Sequence, residues 1–411
     1  MNILFMSLGE FSDLSKGSVH IDVVRELGKS NNVYLACKAN ASKHDSVGLT
    51  EEYGIHVLRV QTGAIKTNNF VEKGIATLRL EPAFRKAISN SFNKIKFDLV
   101  IYTTPPITFV DPIKYIKKRD KAVTYLMLKD IFPQNAVDIG IMSKKGVMAP
   151  LYRHFRRKEK KLYALSDHIG CMSPKNIEYI AMHNPEIDSS KLELFPNSVY
   201  IREIVCTDNE RKSVRTKYGL PIDKKIFVYG GNLGKPQGIP FMLKCIQKVK
   251  DIDAYFVIVG NGTEYNSIEE YVRSLGQSNI SLFKSLPKND YDLLVSVCDI
   301  GMVFLDHRFE IPNFPSRILS YMQSHLPILA VTDPNTDIGT IIEGANFGWW
   351  CESNDDEMFL LKVKEALNSD IKNMGDSAFA FLVNNYDVEK NCKDLIARIN
   401  NSNHLTNEEK K

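Results

Sequence analysis

The sequence predicts an α/β fold of two doubly wound parallel sheets, and three observations predict it. At 411 residues the chain exceeds what one hydrophobic core usually organises. Short apolar runs alternate with helical patterns along most of its length, which is the rhythm of βαβ units. That rhythm stops at Phe195-Pro196-Asn197 and restarts near Lys224. The break sets domains over residues 1–200 and 207–384, joined by a hinge running to about Asp208, with a last helix over 385–400 placed to cross back to the first.

The first domain opens with a strand over Asn2–Leu8, the loop "GEFSDLSKGS" with Gly9 and Gly17, and a helix from about Ser18 to Lys29. Gly17 therefore lies at the carboxyl end of a strand, where such sheets bind ligands. His20, just inside the helix, reads as a packing or surface residue. Strands follow at Asn32–Cys37 and Ile55–Val60, then a helical pattern from Phe70 to Lys94 interrupted near Glu81-Pro82. Strands at Asp98–Tyr102 and Ala122–Leu128 come next, and Asp130 stands at the carboxyl end of the second. It is placed either to reach into a cleft or to form the turn before Pro133. A strand at His168–Met172, a helix at Pro174–His183 and a short strand at Lys191–Leu194 complete the half.

Between Ile141 and Lys161, Lys144, Lys145, Arg153, Arg156, Arg157, Lys158, Lys160 and Lys161 interleave with Val147, Met148, Leu151, Tyr152 and Phe155. This basic amphipathic pattern suits either anionic lipid or a solvated helix face. No nucleic-acid reader motif accompanies it, and a net charge of +4 is too small to imply such a partner.

The second half is centred on "KKIFVYGGNLGKPQGI" at 224–239. Ile226–Tyr229 reads as a buried strand, Gly230, Gly231 and Gly234 as a tight turn, and Gln237 as the opening of a helix that ends near Lys248. Free backbone N–H groups and a helix N-terminus there favour an anion such as a diphosphate. Equally, such a loop can do no more than close a strand-to-helix turn. Strands at Ala254–Val259, Ile280–Phe283, Asp299–Leu305, Pro327–Val331 and Phe347–Trp350 follow. Pro315 reads as a first-turn helix residue, with Ser316 and Arg317 beside it as a second anion site, or with Arg317 in a salt bridge.

Composition bounds the class. With 25% charged and 44% hydrophobic residues the chain is an ordinary globular protein. Cys37, Cys171, Cys206, Cys245, Cys298, Cys351 and Cys392 are scattered without a CxxC pair, which argues for a reducing compartment and against a zinc site. The apolar start is too short for a signal peptide, and no run approaches the ~18 apolar residues of a spanning helix. A cytoplasmic protein is expected, with a disordered tail over "NSNHLTNEEKK".

Several stretches resemble one family. "YTTPPIT" (102–108), "KDIFPQNAVDIGIM" (129–142), "EKKLYALSDHIGCMSP" (159–174), "FPNSV" (195–199), "YGGNLGKPQGI" (229–239), "VGNG" (259–262), "SLPKNDYDLLVSVCDIGMVFL" (285–305) and "PSRILSYMQSHLPILAV" (315–331) occur in that family's order. They resemble the GT-B glycosyltransferases of retaining family 4 that build O-antigen and capsule polysaccharides, and most closely the branch handling N-acetylamino sugars of the fucosamine type. The resemblance implies two Rossmann-like domains facing a central cleft, the first taking the acceptor and the second a UDP-sugar. It implies sugar transfer with retention onto a saccharide linked to undecaprenyl diphosphate, on the inner face of the cell membrane, with no metal.

By the same resemblance the donor ligands are Gly231, Asn232, Leu233, Gly234, Lys235, Gln237, Gly260, Pro315, Ser316, Arg317 and Ser320, with Gly17 on the first domain. Asp130 would orient the acceptor or assist as a base; no nucleophile is assigned. The chain departs from the family at several of these places. Asn232 and Gln237 stand where Arg and Lys are common, and Ser320 where a Glu is usual. Glu310 lies upstream of the usual first acidic position, and His325-Leu326 occupy the place of a small residue and Gly. A UDP-sugar 2-epimerase shares the two-domain plan, and a non-catalytic partner subunit would tolerate the loss at Ser320.

Overall fold

The computed structural model describes residues 1–9, 11–40, 47–62, 70–276 and 279–408. The chain divides into two compact units, one formed by Met1–Tyr200 with Val388–Lys411 and the other by Ile201–Asp387.

In the first unit the chain forms β1 (Asn2–Ser7), α1 (Val19–Gly28), β2 (Asn32–Lys38), β3 (Gly48–Glu52), β4 (Ile55–Val60), α2 (Phe70–Ser91) and β5 (Leu99–Thr103). It continues through α3 (Val110–Asp120), β6 (Val123–Leu128), α4 (Gln134–Asp138), α5 (Ala149–Leu165), β7 (His168–Cys171), α6 (Pro174–His183) and β8 (Leu192–Leu194). The strands make one sheet in the order β3-β4-β2-β1-β5-β6-β7-β8, parallel except for β3. Strands β1 and β5 are buried over nearly their whole length, as expected of parallel strands covered on both faces. Ser18 caps α1 by accepting the Ile21 N–H.

The second unit runs α7 (Asp208–Lys217), β9 (Lys225–Asn232), α8 (Ile239–Lys248), β10 (Ala254–Asn261), α9 (Tyr265–Leu275), β11 (Ile280–Lys284), α10 (Lys288–Ser296) and β12 (Ile300–Phe304). It ends with α11 (Arg317–Gln323), β13 (Ile328–Thr332), α12 (Ile338–Gly344), β14 (Gly348–Glu352), α13 (Asp356–Asn368) and α14 (Ile371–Asn385). Its sheet is parallel throughout, ordered β11-β10-β9-β12-β13-β14, so the strand order reverses between β9 and β12. Ligands of doubly wound sheets bind at such a switch point, at the carboxyl ends of the strands. A buried ion pair from Arg215 to Asp299 holds α7 against this sheet, and Asp299 also accepts the Ile226 N–H at 2.7 Å. Both groups are spent on structure.

The last helix, α15 (Val388–Glu408), returns to the first unit. Val388, Cys392, Leu395 and Ile399 recur at helical spacing and enter the core with Ile3, Phe5, Leu35 and Ile101. Each fully buried aliphatic side chain there contributes about 1.5–3 kcal/mol.

Several elements differ from the sequence expectation. Helix α2 continues through Pro82. Helix α5 starts only at Ala149, after a single 3-10 turn at Gly146–Met148, so Lys144 and Lys145 lie outside it. The tail is helical as far as Glu408, with residues 409–411 outside the described residues. All seven cysteines are free thiols. No helix among the described residues is long and apolar enough to cross a membrane.

Candidate functional site

The glycine pair does not turn. Strand β9 runs on through Gly230 and Gly231 to Asn232. Gly230 is required because a Cβ there would lie 2.1 Å from the Tyr291 hydroxyl. Gly231 is required twice over: its φ is +135°, and a Cβ would meet the Arg317 guanidinium carbon at 3.2 Å. Two residues far apart in sequence are thereby brought together. The Arg317 guanidinium also lies over the Tyr229 ring, 4.6 Å from its centroid, a cation–π placement worth about 0.5–2 kcal/mol.

Arg317 is half-buried, yet its Nη1 is closed to solvent and has no hydrogen-bond partner. The side chains around it are pinned. Tyr229 donates its hydroxyl to Asn232 O at 2.7 Å. Tyr321, fully buried, accepts the Gly230 N–H at 2.9 Å and donates to Met302 O at 3.1 Å. Nearby in sequence, Asn313 also keeps a buried Nδ2 without a partner. A fixed guanidinium with an unused N–H, at the carboxyl end of the switch-point strand, can take an anionic oxygen.

The loop's own amides are mostly spent, contrary to the expectation of free N–H groups. Leu233 N–H donates to Asn261 O at 3.0 Å and Gly234 N–H to Gln237 Oε1 at 3.3 Å. Gln237 Oε1 also accepts from Asn232 Nδ2 at 3.1 Å, so Asn232 and Gln237 close the loop on itself. Gln237 does not open the helix: a 3-10 turn over Lys235–Gln237 and a left-handed Gly238 precede α8. Gly260 packs against this backbone, since a Cβ there would lie 1.9 Å from Gly231 O. Lys235 is exposed, with no ion pair among the described residues. Pro315 stands before the N-cap Ser316 rather than in the first turn of α11, and Arg317 is the first helical residue. Ser320 is half-buried, one turn further along.

In the first unit, Asp130 follows β6. Its N–H donates to Thr104 Oγ1 at 3.3 Å, and both carboxylate oxygens accept from Asn135 Nδ2, at 2.8 and 2.7 Å. Burial pushes the Asp130 carboxyl up to about 6, against the hydrogen bonds from Ile131 and Asn135 that favour the anion. Its neighbour Lys129 donates to Phe195 O at 3.3 Å and Pro196 O at 3.2 Å, and burial pushes its amine down to about 7. Gly17 lies in the loop before the N-cap of α1, and Glu10 of that loop lies outside the described residues. His20 packs on Phe11 with ring centroids 6.5 Å apart, and burial followed by the Lys129 charge lowers it to about 4.

Tyr229, Tyr291, Tyr321 and Asn313 escape the sequence reading. Tyr229 and Tyr321 lie in apolar stretches where an aromatic ordinarily signals core, Tyr291 stands between Asp290 and Asp292, and only the glycines opposite Tyr291 and Tyr321 hint at a close approach.

Two doubly wound parallel sheets follow the GT-B plan, and the chain is a glycosyltransferase. Residues 210–397 match the family described as Glycosyl transferases group 1. The chain is 24% identical over 321 residues, 78% of each chain, to the probable glycosyltransferase WbjE of Pseudomonas aeruginosa. Its fold is similar to that of sucrose-phosphate synthase from Thermosynechococcus elongatus, with a TM-score of 0.78, 13% identity and 98% and 99% of the two chains covered. It is also similar to that of Anabaena HepE in complex with UDP, with a TM-score of 0.70, 12% identity and 98% and 100% covered.

Proposed function

We propose that this glycosyltransferase moves an N-acetylamino sugar, with retention, from a UDP-sugar onto a saccharide linked to undecaprenyl diphosphate in bacterial capsule or O-antigen synthesis. The observation that carries the donor half is the buried, unpartnered Nη1 of Arg317 against Gly231. Loss of a nucleoside diphosphate builds negative charge on its phosphates, and a cation already fixed there stabilises that charge without reorganising. In this reading Arg317 takes over from the Arg and Lys that Asn232 and Gln237 replace, helped by Lys235. Gly231, Leu233, Gly234 and Gly260 shape the backbone, and Pro315, Ser316 and Ser320 line the approach. The UDP bound by HepE supports the choice of nucleotide. Asp130 orients the acceptor hydroxyl or takes its proton, and Gly17 lets the backbone approach the ligand.

The test is a thermal-shift series with UDP, GDP, ADP, UDP-N-acetylglucosamine and UDP-N-acetylfucosamine. A ligand at ~100 times its dissociation constant adds about 2.7 kcal/mol. UDP and its N-acetylamino sugars are expected to stabilise selectively; equal responses to all nucleotides, or none, would sink the donor assignment.

The same reading places the protein peripherally on the inner face of the cytoplasmic membrane. On and before α5, Arg156 pairs with Glu159, Lys158 with Glu81 and Lys160 with Glu186, so these three serve structure. Lys144, Lys145, Arg153, Arg157 and Lys161 are exposed, as are Leu151 and Val147, the latter 96% exposed. Basic residues at an anionic surface contribute about 1 kcal/mol each, and the apolar side chains add insertion. Cosedimentation with vesicles rich in phosphatidylglycerol is expected to be salt-sensitive and to be lost in Val147→Asp combined with Arg153→Glu and Arg157→Glu. Equal sedimentation of the variant would remove the membrane from the proposal.

A further inference from the structure

Strands β9 and β12 stop pairing at the register Met302↔Tyr229, although β9 runs on to Asn232 and β12 to Phe304. The Tyr321 side chain sits at this fork. Its ring lies against Gly301 of β12, where a Cβ would meet it at 2.4 Å. Its hydroxyl accepts the Gly230 N–H of β9 at 2.9 Å and donates to Met302 O of β12 at 3.1 Å. The Tyr291 hydroxyl, brought by α10, lies against the same Gly230 and reaches that of Tyr321. One hydroxyl thus ties together both supports of the Arg317 guanidinium. These are the Gly230-Gly231 backbone on which it rests and helix α11, from which it springs one turn before Tyr321 on the same face.

We infer that Tyr321, backed by Tyr291, is a positioning residue that holds Arg317 ready for an anionic ligand without neutralising it, an inference that rests on the reading that Arg317 takes the donor's diphosphate. Tyr229, Tyr321 and Tyr291 surround the guanidinium, and no carboxylate pairs with it among the described residues. Burial pushes the Tyr291 and Tyr321 hydroxyls well above the ordinary phenol range, so both stay neutral. A carboxylate in their place would fix the arginine as firmly, but it would be its counter-ion and would repel phosphate oxygens. A tyrosine fixes the arginine and leaves the charge to the ligand. A donor held in place beforehand binds more tightly, because little ordering remains to be done on binding.

The inference is tested on the full chain with Tyr321→Phe and Tyr291→Phe, which keep the rings and lose the hydroxyls. UDP is titrated by calorimetry, and uridine, which has the base and ribose but no phosphate, by saturation-transfer NMR. Tyr321→Phe is expected to weaken UDP binding roughly 3- to 10-fold, Tyr291→Phe by less, and neither to change the affinity for uridine. In an Arg317→Ala background Tyr321→Phe should cost nothing further, because it acts through the arginine. Unchanged UDP affinity in both variants, an equal loss for uridine, or a full additional loss on top of Arg317→Ala would overturn the inference. Should Tyr321→Phe fail to fold for want of its bonds to Gly230 and Met302, Tyr291→Phe keeps both bonds and decides on the same readouts. A native protein that ignores UDP removes the proposed function as well; one that needs Arg317 for UDP yet tolerates both phenylalanines loses only the positioning role.

Discussion

Asp130→Asn is expected to lower sugar transfer by about 10²- to 10⁴-fold, the usual reach of a general base, while leaving UDP affinity nearly unchanged. The same substitution is expected to raise the melting temperature at neutral pH. Burial lifts the Asp130 carboxyl to about 6, so the folded protein holds this proton more tightly than the unfolded chain does. Ionising it therefore costs stability as the pH rises from about 4 to about 6, and the cost persists at neutrality. Asparagine removes the charge and can still accept from Asn135 through its own oxygen. Native activity should rise with pH through about 6, and this limb should vanish from the residual activity of the variant. A variant that transfers normally, or one that melts lower, would return Asp130 to a turn-forming role. Transfer assays and melting curves on the same samples decide the matter.

Arg317→Ala is expected to weaken UDP binding about 10- to 150-fold, the range for a hydrogen bond to a charged group. Gly231→Ala should do comparable damage by another route, since its methyl group would press on the guanidinium from a backbone conformation that alanine rarely adopts. The two losses should not add in the double variant, because both act through one contact. Arg317→Lys should recover little: an ammonium lacks the planar fork and cannot lie on Tyr229 with the same fit. Calorimetric titration of UDP into the four variants measures all of this, and a native-like dissociation constant in Arg317→Ala would place the diphosphate elsewhere.

Parallel strands were the most legible part of the fold, because burial on both faces makes them unbroken apolar runs. Ile55–Val60 and Pro174–His183 form over the residues read from the sequence. Elements with little apolar signal were missed. Strand β3 is short and lies at the sheet edge, and α7, "DNERKSVRTK", buries only Val214 and Arg215. Pro82 was read as a break because proline usually is one, but the helix carries on through it. For the site, Gly231 and Arg317 were each legible from local chemistry: a glycine beside a strand end, an arginine at a helix start. Their contact was not, since it depends on how β9 and α11 pack. Nor was the self-closure of the loop by Gln237, whose amide could as well have faced a ligand.

The return of α15 to the first unit has a bearing on synthesis at the ribosome. A chain made from its amino end completes residues 201–387, a continuous stretch, before it makes Val388, Cys392, Leu395 and Ile399. Through that interval the first unit waits with a greasy seam beside β1 and β2, while the second can already settle. The body that is begun first is thus finished last, and a messenger cut short near its end leaves half the protein intact and the other half sticky.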